Sequence, residues 1–187
     1  MDPGPADAER LAALVLDRPP RAGRTRVLAV DGPSGSGKTT LAAALAAALE
    51  RCGADAAVLH LDDVYPGWDG LAATAPLLVD GVLAPLAAGT PAGHPRWDWS
   101  ASRPTGRVPV PAADVLVVEG AGAGTRAAAP FLSLLVWLDA PEPVRRARAL
   151  ARDGEAYRPH WERWAAQERA LFTAEGTAQR ADVLLRS

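Results

Sequence analysis

Eight consecutive residues constrain this chain more than any other feature. Gly32-Pro33-Ser34-Gly35-Ser36-Gly37-Lys38-Thr39 satisfies the pattern G-x-x-x-x-G-K-[ST] at every fixed position. Apolar Val27-Leu28-Ala29-Val30 runs into it, and an Ala/Leu-rich run from Thr39 to Leu49 leaves it. A strand, a glycine-rich turn and a helix in that order form a phosphate-cradling P-loop. The glycines let backbone N–H groups turn inward, and the following helix adds its positive end. Lys38 is left to reach the outer phosphates, and Thr39, followed by Thr40, offers a hydroxyl to magnesium. Lys38 is also the only lysine in the chain, every other basic side chain being arginine. A compact, flexible cation thus stands at the one position that needs it.

A parallel α/β sheet follows from the rest of the pattern. Continuous apolar runs at Ala57-Val58-Leu59-His60-Leu61, at 115–118 and at 132–138 read as strands buried on both faces. With a strand over 26–31 and a short one over 182–185, five strands are expected, with helices on both sides. Helices are predicted over 39–49, over 142–152 and over 159–174. Another is predicted over 68–88, interrupted at Pro76, Gly81 and Pro85. Residues 89–111, rich in glycine and proline around Arg96-Trp97-Asp98-Trp99, read as a long functional connection.

The 187 residues have the length of one domain. Residues 1–24 read as an accessory helix, capped by Asp7, with its linker, and residues 141–158 as a lid. The net charge of -2, with both signs mixed along the chain, argues against nucleic acid or an anionic membrane as partner. Cys52, alone, permits neither an internal disulfide nor a cysteine-built metal site and fits a reducing compartment. No apolar run has the length of a membrane span, and an N-terminus bearing Asp2, Asp7 and Glu9 does not resemble a signal peptide. A cytoplasmic location is the expectation, and homo-oligomerisation is left open.

A P-loop alone says only that nucleotide phosphate is bound, so the acceptor has to be sought elsewhere. Asp62, at the carboxyl end of the second strand, either orients and deprotonates an alcohol, caps a helix or bonds a magnesium-held water. Glu119, at the end of the third strand, either serves magnesium and Thr39 or caps a helix beside Gly120. Trp97 and Trp99 flank Asp98, so that aromatic surface packs on an acceptor whose hydroxyls bond Asp98, or one indole belongs to the core. Tyr65 could line the same pocket. Trp137, Trp161 and Trp164 read as packing residues, and His94 as incidental.

Taken together, Asp31 to Ala42 followed by Asp62-Asp63-Val64-Tyr65 resembles the uridine kinase family and its phosphoribulokinase and pantothenate kinase relatives. The resemblance implies a P-loop NTPase fold, ATP with Mg2+, and Asp62 as catalytic base. It extends to Trp97-Asp98-Trp99 and Arg103 as an acceptor-binding segment, and to Ala113 through Gly120 as the strand ending in Glu-Gly. Arg145, Arg148, Arg152 and Asp153 resemble the arginine-rich lid, with Arg148 and Arg152 acting on the transferred phosphoryl group beside Lys38. The family's histidine after the aromatic segment is missing, Trp99 being followed by Ser100-Ala101-Ser102-Arg103. The expected activity is phosphoryl transfer from ATP to an alcohol, with a nucleoside as the leading acceptor class. Pantothenate, sugar or antibiotic hydroxyls are alternatives, and a nucleotide-dependent switch is the rival from another class. A guanine-reading Asn-Lys-x-Asp stretch cannot occur, because the one lysine lies in the P-loop.

Overall fold

The computed structural model describes residues 4–187, so the first three residues of the accessory segment, Asp2 among them, lie outside it. Five strands form one parallel sheet: β1 (Arg26–Asp31), β2 (Ala56–His60), β5 (Val115–Glu119), β6 (Leu134–Asp139) and β7 (Val183–Arg186). Their spatial order is β2-β5-β1-β6-β7. Because side chains alternate across a strand, Leu28 and Val30 face one side while Val27 and Ala29 face the other. The first pair packs with Val115, Val117 and Val136 under α1 (Pro5–Leu16) and α2 (Lys38–Arg51). The second pair packs with Leu116, Val118 and Leu135 under the remaining helices. Both faces are covered, which is why these strands are apolar throughout. Each fully buried Leu or Val contributes about 1.5–3 kcal/mol relative to exposure.

The N-cap of α1 is Gly4, and Asp7 sits one turn in, where its carboxylate accepts the Gly4 N–H at 3.2 Å. Asp7 therefore serves the helix start from inside rather than from the cap position expected. The helical stretch after the second strand begins only at Leu71, as α3 (Leu71–Leu78), passes through a π-helical turn (Val79–Leu83) and continues as α4 (Ala84–Ala88). Pro85, which has no N–H to give, follows directly on the widened turn. Gly81 is needed at that turn because a Cβ there would lie 2.7 Å from the Gly93 carbonyl oxygen. The run Leu71–Ala88, with a mean hydropathy of 1.7, has the length and composition of a membrane span, which corrects the expectation that no segment does. Leu71, Leu78, Val82 and Leu83 are buried in the core, however, and exposed positions along it hold Ala, Pro and Asp80.

The supposed long connection is a β-hairpin, β3 (Ala92–Asp98) paired antiparallel with β4 (Arg103–Val110). Its prolines hid it, but a two-stranded ribbon has free edges on which proline is tolerated. The register shifts between Pro95 and Trp97, a bulge that re-aims the aromatic segment. After β6 come α5 (Glu142–Asp153), two 3-10 turns, α6 (Trp161–Glu175) and the short α7 (Thr177–Arg180).

Candidate active site

The carboxyl ends of β1, β2 and β5 converge at one edge of the sheet, where ligands of open α/β sheets bind. Asp31 closes β1 and is fully buried, its carboxylate accepting N–H groups of Gly32, Gly122 and Gly124 at 2.7, 2.9 and 2.8 Å. It ties the start of the P-loop to the loop after β5. Burial outweighs these bonds and pushes its pKa up to about 6. At Gly35, φ is +79° and a Cβ would stand 2.1 Å from the Arg145 carbonyl oxygen, so only glycine lets the loop press against α5. The first turn of α2 carries no side-chain cap and no acidic residue, so the loop's end is a receptive anion site. Lys38 Nζ donates to the Pro33 carbonyl at 3.0 Å, which folds the lysine back across the loop.

Parallel pairing sets His60 beside Glu119 and Glu119 beside Val30. Glu119 Oε1 lies 2.7 Å from His60 Nδ1 and accepts the Thr39 hydroxyl at 3.1 Å. Burial alone would raise Glu119, but the His60 hydrogen bond and the Lys38 charge together lower it, so it stays ionised. The hydrogen bond to Glu119 likewise raises His60, against the effect of burial. Asp62 follows β2 in a one-turn 3-10 helix (Leu61–Asp63). Its side chain is 58% exposed to the cavity, yet surrounding protein and then the Glu119 charge raise its carboxyl above the usual range.

Lys38, Thr39, Glu119 and Asp62 line one cavity of about 410 Å³. The phosphate end holds Ser34, Gly35, Lys38, Thr39 and Glu119. The other end is walled by Tyr65, Trp68, Trp99, Tyr157 and Trp164, with Asp62, Asp63, Arg152 and Asp153 at its rim. Trp99 donates its indole N–H to the Asp62 carbonyl at 2.9 Å, which fixes the ring beside the carboxylate expected to act. Trp68 stacks on Tyr157 and His160 with ring centroids 5.2 and 4.3 Å away. Tyr65 is buried and donates to the Ala121 carbonyl at 3.0 Å, so it shapes the wall with its ring.

The structure brings together Asp62, Lys38, Thr39, Glu119, Tyr65 and Arg152, and leaves other candidates outside the cavity lining. Asp98 accepts the Ser100 and Ala101 N–H groups, both at 2.9 Å, and so holds the hairpin turn. Arg103 opposes Asp98 in that hairpin, and Trp97 lies against Gly67. Arg145 donates to the Ala140 carbonyl at 2.9 Å and to the Ser34 carbonyl at 3.3 Å, bracing the loop from behind. Arg148 donates to Ser187 Oγ at 2.9 Å, and that hydroxyl in turn donates to the Ser36 carbonyl. Of the three lid arginines, Arg152 faces the cavity, in a two-bond pair with Asp153 and 3.9 Å from Asp62.

Several residues of the site were not read from the sequence. Glu168 Oε1, on a residue only 2% exposed, accepts the Ser34 N–H and hydroxyl at 2.8 Å each and the Trp164 indole N–H at 2.9 Å. The one signal for it was a carboxylate on the buried stripe Trp161, Trp164, Ala165, Glu168. His60, Trp68 and Tyr157 gave no signal, because register and tertiary packing bring them in.

A P-loop opening onto a cavity with an aromatic far end defines an α/β protein of the P-loop nucleotide-binding fold. Among solved structures, a possible uridine kinase from Bacillus stearothermophilus superposes with a TM-score of 0.69 at 24% identity, over 95% of this chain and 96% of that one. A protein described as a fructose transport system kinase, from Silicibacter sp. TM1040, superposes with a TM-score of 0.61 at 22% identity, over 95% and 98%. The chain thus has the fold of the uridine kinase-like P-loop kinases. A family model for MeaB, the methylmalonyl-CoA mutase-associated GTPase, matches residues 3–70, less than half of the chain. No curated protein matches.

Proposed function

We propose that the protein transfers the γ-phosphoryl group of ATP to an alcohol on a small molecule. The observation that carries this reading is the single cavity in which the P-loop, Glu119 and Arg152 meet Asp62 and an aromatic wall. A switch or motor needs the first half of that cavity; a kinase needs both. Lys38 and the loop amides hold the phosphates, and Arg152 balances charge as it spreads over the transferred group. Asp62 accepts the proton of the attacking hydroxyl, and its raised pKa suits a base that must take a proton and release it. The aromatic wall excludes the water that would otherwise compete with the acceptor.

Among the described residues no cluster of three acidic, histidine or cysteine side chains is disposed to hold a metal ion. Thr39 Oγ1 and Glu119 suit magnesium that draws its other ligands from nucleotide phosphate and water. Bound there, the ion would neutralise phosphate charge.

A nucleoside is the acceptor class favoured by the aromatic wall at Trp99, whose flat ring suits a flat base. A second reading, a nucleotide-dependent switch, draws support from the MeaB match over the P-loop. One assay separates them: ATP and GTP consumption measured with and without nucleosides, sugars and pantothenate-like alcohols. The kinase reading expects an acceptor to stimulate ATP turnover and to gain one phosphoryl group. GTP hydrolysis indifferent to every acceptor would favour the switch.

A further inference from the structure

All three polar atoms of Ser34 are engaged by the arm built from α5, the 3-10 turns and α6. Its N–H and hydroxyl donate to Glu168, and its carbonyl accepts from Arg145. Ser34 immediately precedes Gly35 to Thr39, whose amides must point inward together for a phosphate to be held. On its other side, Glu168 accepts the indole N–H of Trp164, which packs edge-on against Tyr65 at 4.9 Å and Trp68 at 6.3 Å. One buried carboxylate oxygen thus joins the phosphate loop to the aromatic wall, across 134 residues of sequence. A carboxylate buried without a cation costs free energy unless several donors satisfy it, and here three do.

We propose that Glu168 is a positioning residue that fixes Ser34 and sets the P-loop in its phosphate-receiving shape, with Trp164 registering the state of the loop at the acceptor end. The inference rests on Gly32 to Thr39 being a nucleotide cradle and needs no knowledge of the acceptor. Without the clamp the loop has to be ordered by the nucleotide itself, and affinity falls by that ordering cost. Because all three bonds meet on one oxygen, Glu168→Gln keeps an acceptor there and loses only the charge, whereas Glu168→Ala loses the acceptor.

The test is MgADP titrated into wild type, Glu168→Gln, Glu168→Ala and Trp164→Phe, read by calorimetry and tryptophan emission, with thermal melting alongside. The expected affinities are graded: Glu168→Gln weaker by roughly twofold to threefold, Glu168→Ala by roughly tenfold or more. Trp164→Phe, which deletes one donor at the far end, weakens MgADP by roughly twofold to fivefold. The emission change that MgADP causes in wild type is lost in Glu168→Ala although Trp164 is still present. A carboxylate that merely stabilises the fold would lower the melting temperature and leave affinity and emission response unmoved, and that result overturns the proposal. Should Glu168→Ala not fold, Glu168→Gln and Trp164→Phe decide, with wild-type affinity in both overturning it. Wild type that binds no MgADP removes the cradle reading, and this inference with it, whereas wild type that binds while every variant matches it removes the inference alone.

Discussion

The two ends of the cavity are built in opposite ways. Apart from Glu119, the phosphate end is a run of nine residues, Asp31 to Thr39, in which the backbone provides the binding surface and side chains behind it hold the shape. The far end, the proposed acceptor end, is made of side chains from four segments: Asp62 after β2, Trp68 before α3, Trp99 at the hairpin turn, and Tyr157 with Trp164 from the α5–α6 arm. A backbone site is specified by glycines and spacing, and it tolerates little change because its atoms cannot be repacked. A side-chain site is specified by tertiary contacts, and its specificity can shift with one substitution. Damage to the first end should therefore act on every nucleotide alike, and damage to the second on the acceptor alone.

The largest effect expected from that contrast is at the phosphate end. Lys38→Ala should weaken ATP binding or transfer by roughly a hundredfold or more, measured by calorimetry and turnover, since it deletes the loop's one flexible cation. A change below threefold would break the contrast at its stronger side. Next comes the acceptor wall. Trp99→Leu should raise the acceptor KM by roughly tenfold while the KM for ATP stays put, and Trp97→Leu, outside the cavity lining, should raise it less. Equal effects would mean that the hairpin does not sort the two indoles. Arg152→Ala should lower kcat by roughly tenfold, and Arg148→Ala, which reaches the loop through Ser187, by less. Reversed magnitudes would return the lid to the arrangement read from sequence.

The smallest effect concerns pH. Asp31 is raised from 3.8 to about 6 by burial, so the folded chain holds this proton more tightly than the unfolded chain does. The resulting stabilisation is complete below about pH 3.8 and is lost as pH rises through about 6. Melting temperatures from pH 4 to 7 should therefore fall, relative to the Asp31→Asn variant, across that window. Parallel curves for the two proteins would show that Asp31 does not titrate there.

How much could be read beforehand follows the same division. The P-loop, β1 and the strand ends at Asp62 and Glu119 were legible because glycine spacing and apolar runs are local signals. The hairpin was not, because Pro104 and Pro109 read as loop, whereas a two-stranded ribbon accepts them. Trp97 and Trp99 share one local pattern, and nothing in the sequence says that β3 ends at Asp98 and leaves Trp99 in the turn, bonded to the Asp62 carbonyl. The arginines of α5 illustrate the limit most clearly: helical spacing places them on the arm, but only packing shows that Arg145 and Arg148 stand behind the loop and Arg152 before it. Glu168 depended on a contact with Ser34 that no local pattern encodes.

The central claim is that the two ends form one kinase site with Asp62 between them. Its most direct test is Asp62→Asn, compared with wild type for ATP binding and, by mass spectrometry, for phosphoryl transfer to the acceptor that stimulates turnover. ATP affinity within about threefold of wild type, with transfer reduced by roughly a hundredfold or more, is the predicted result. Transfer at equal rates in the two proteins would contradict it.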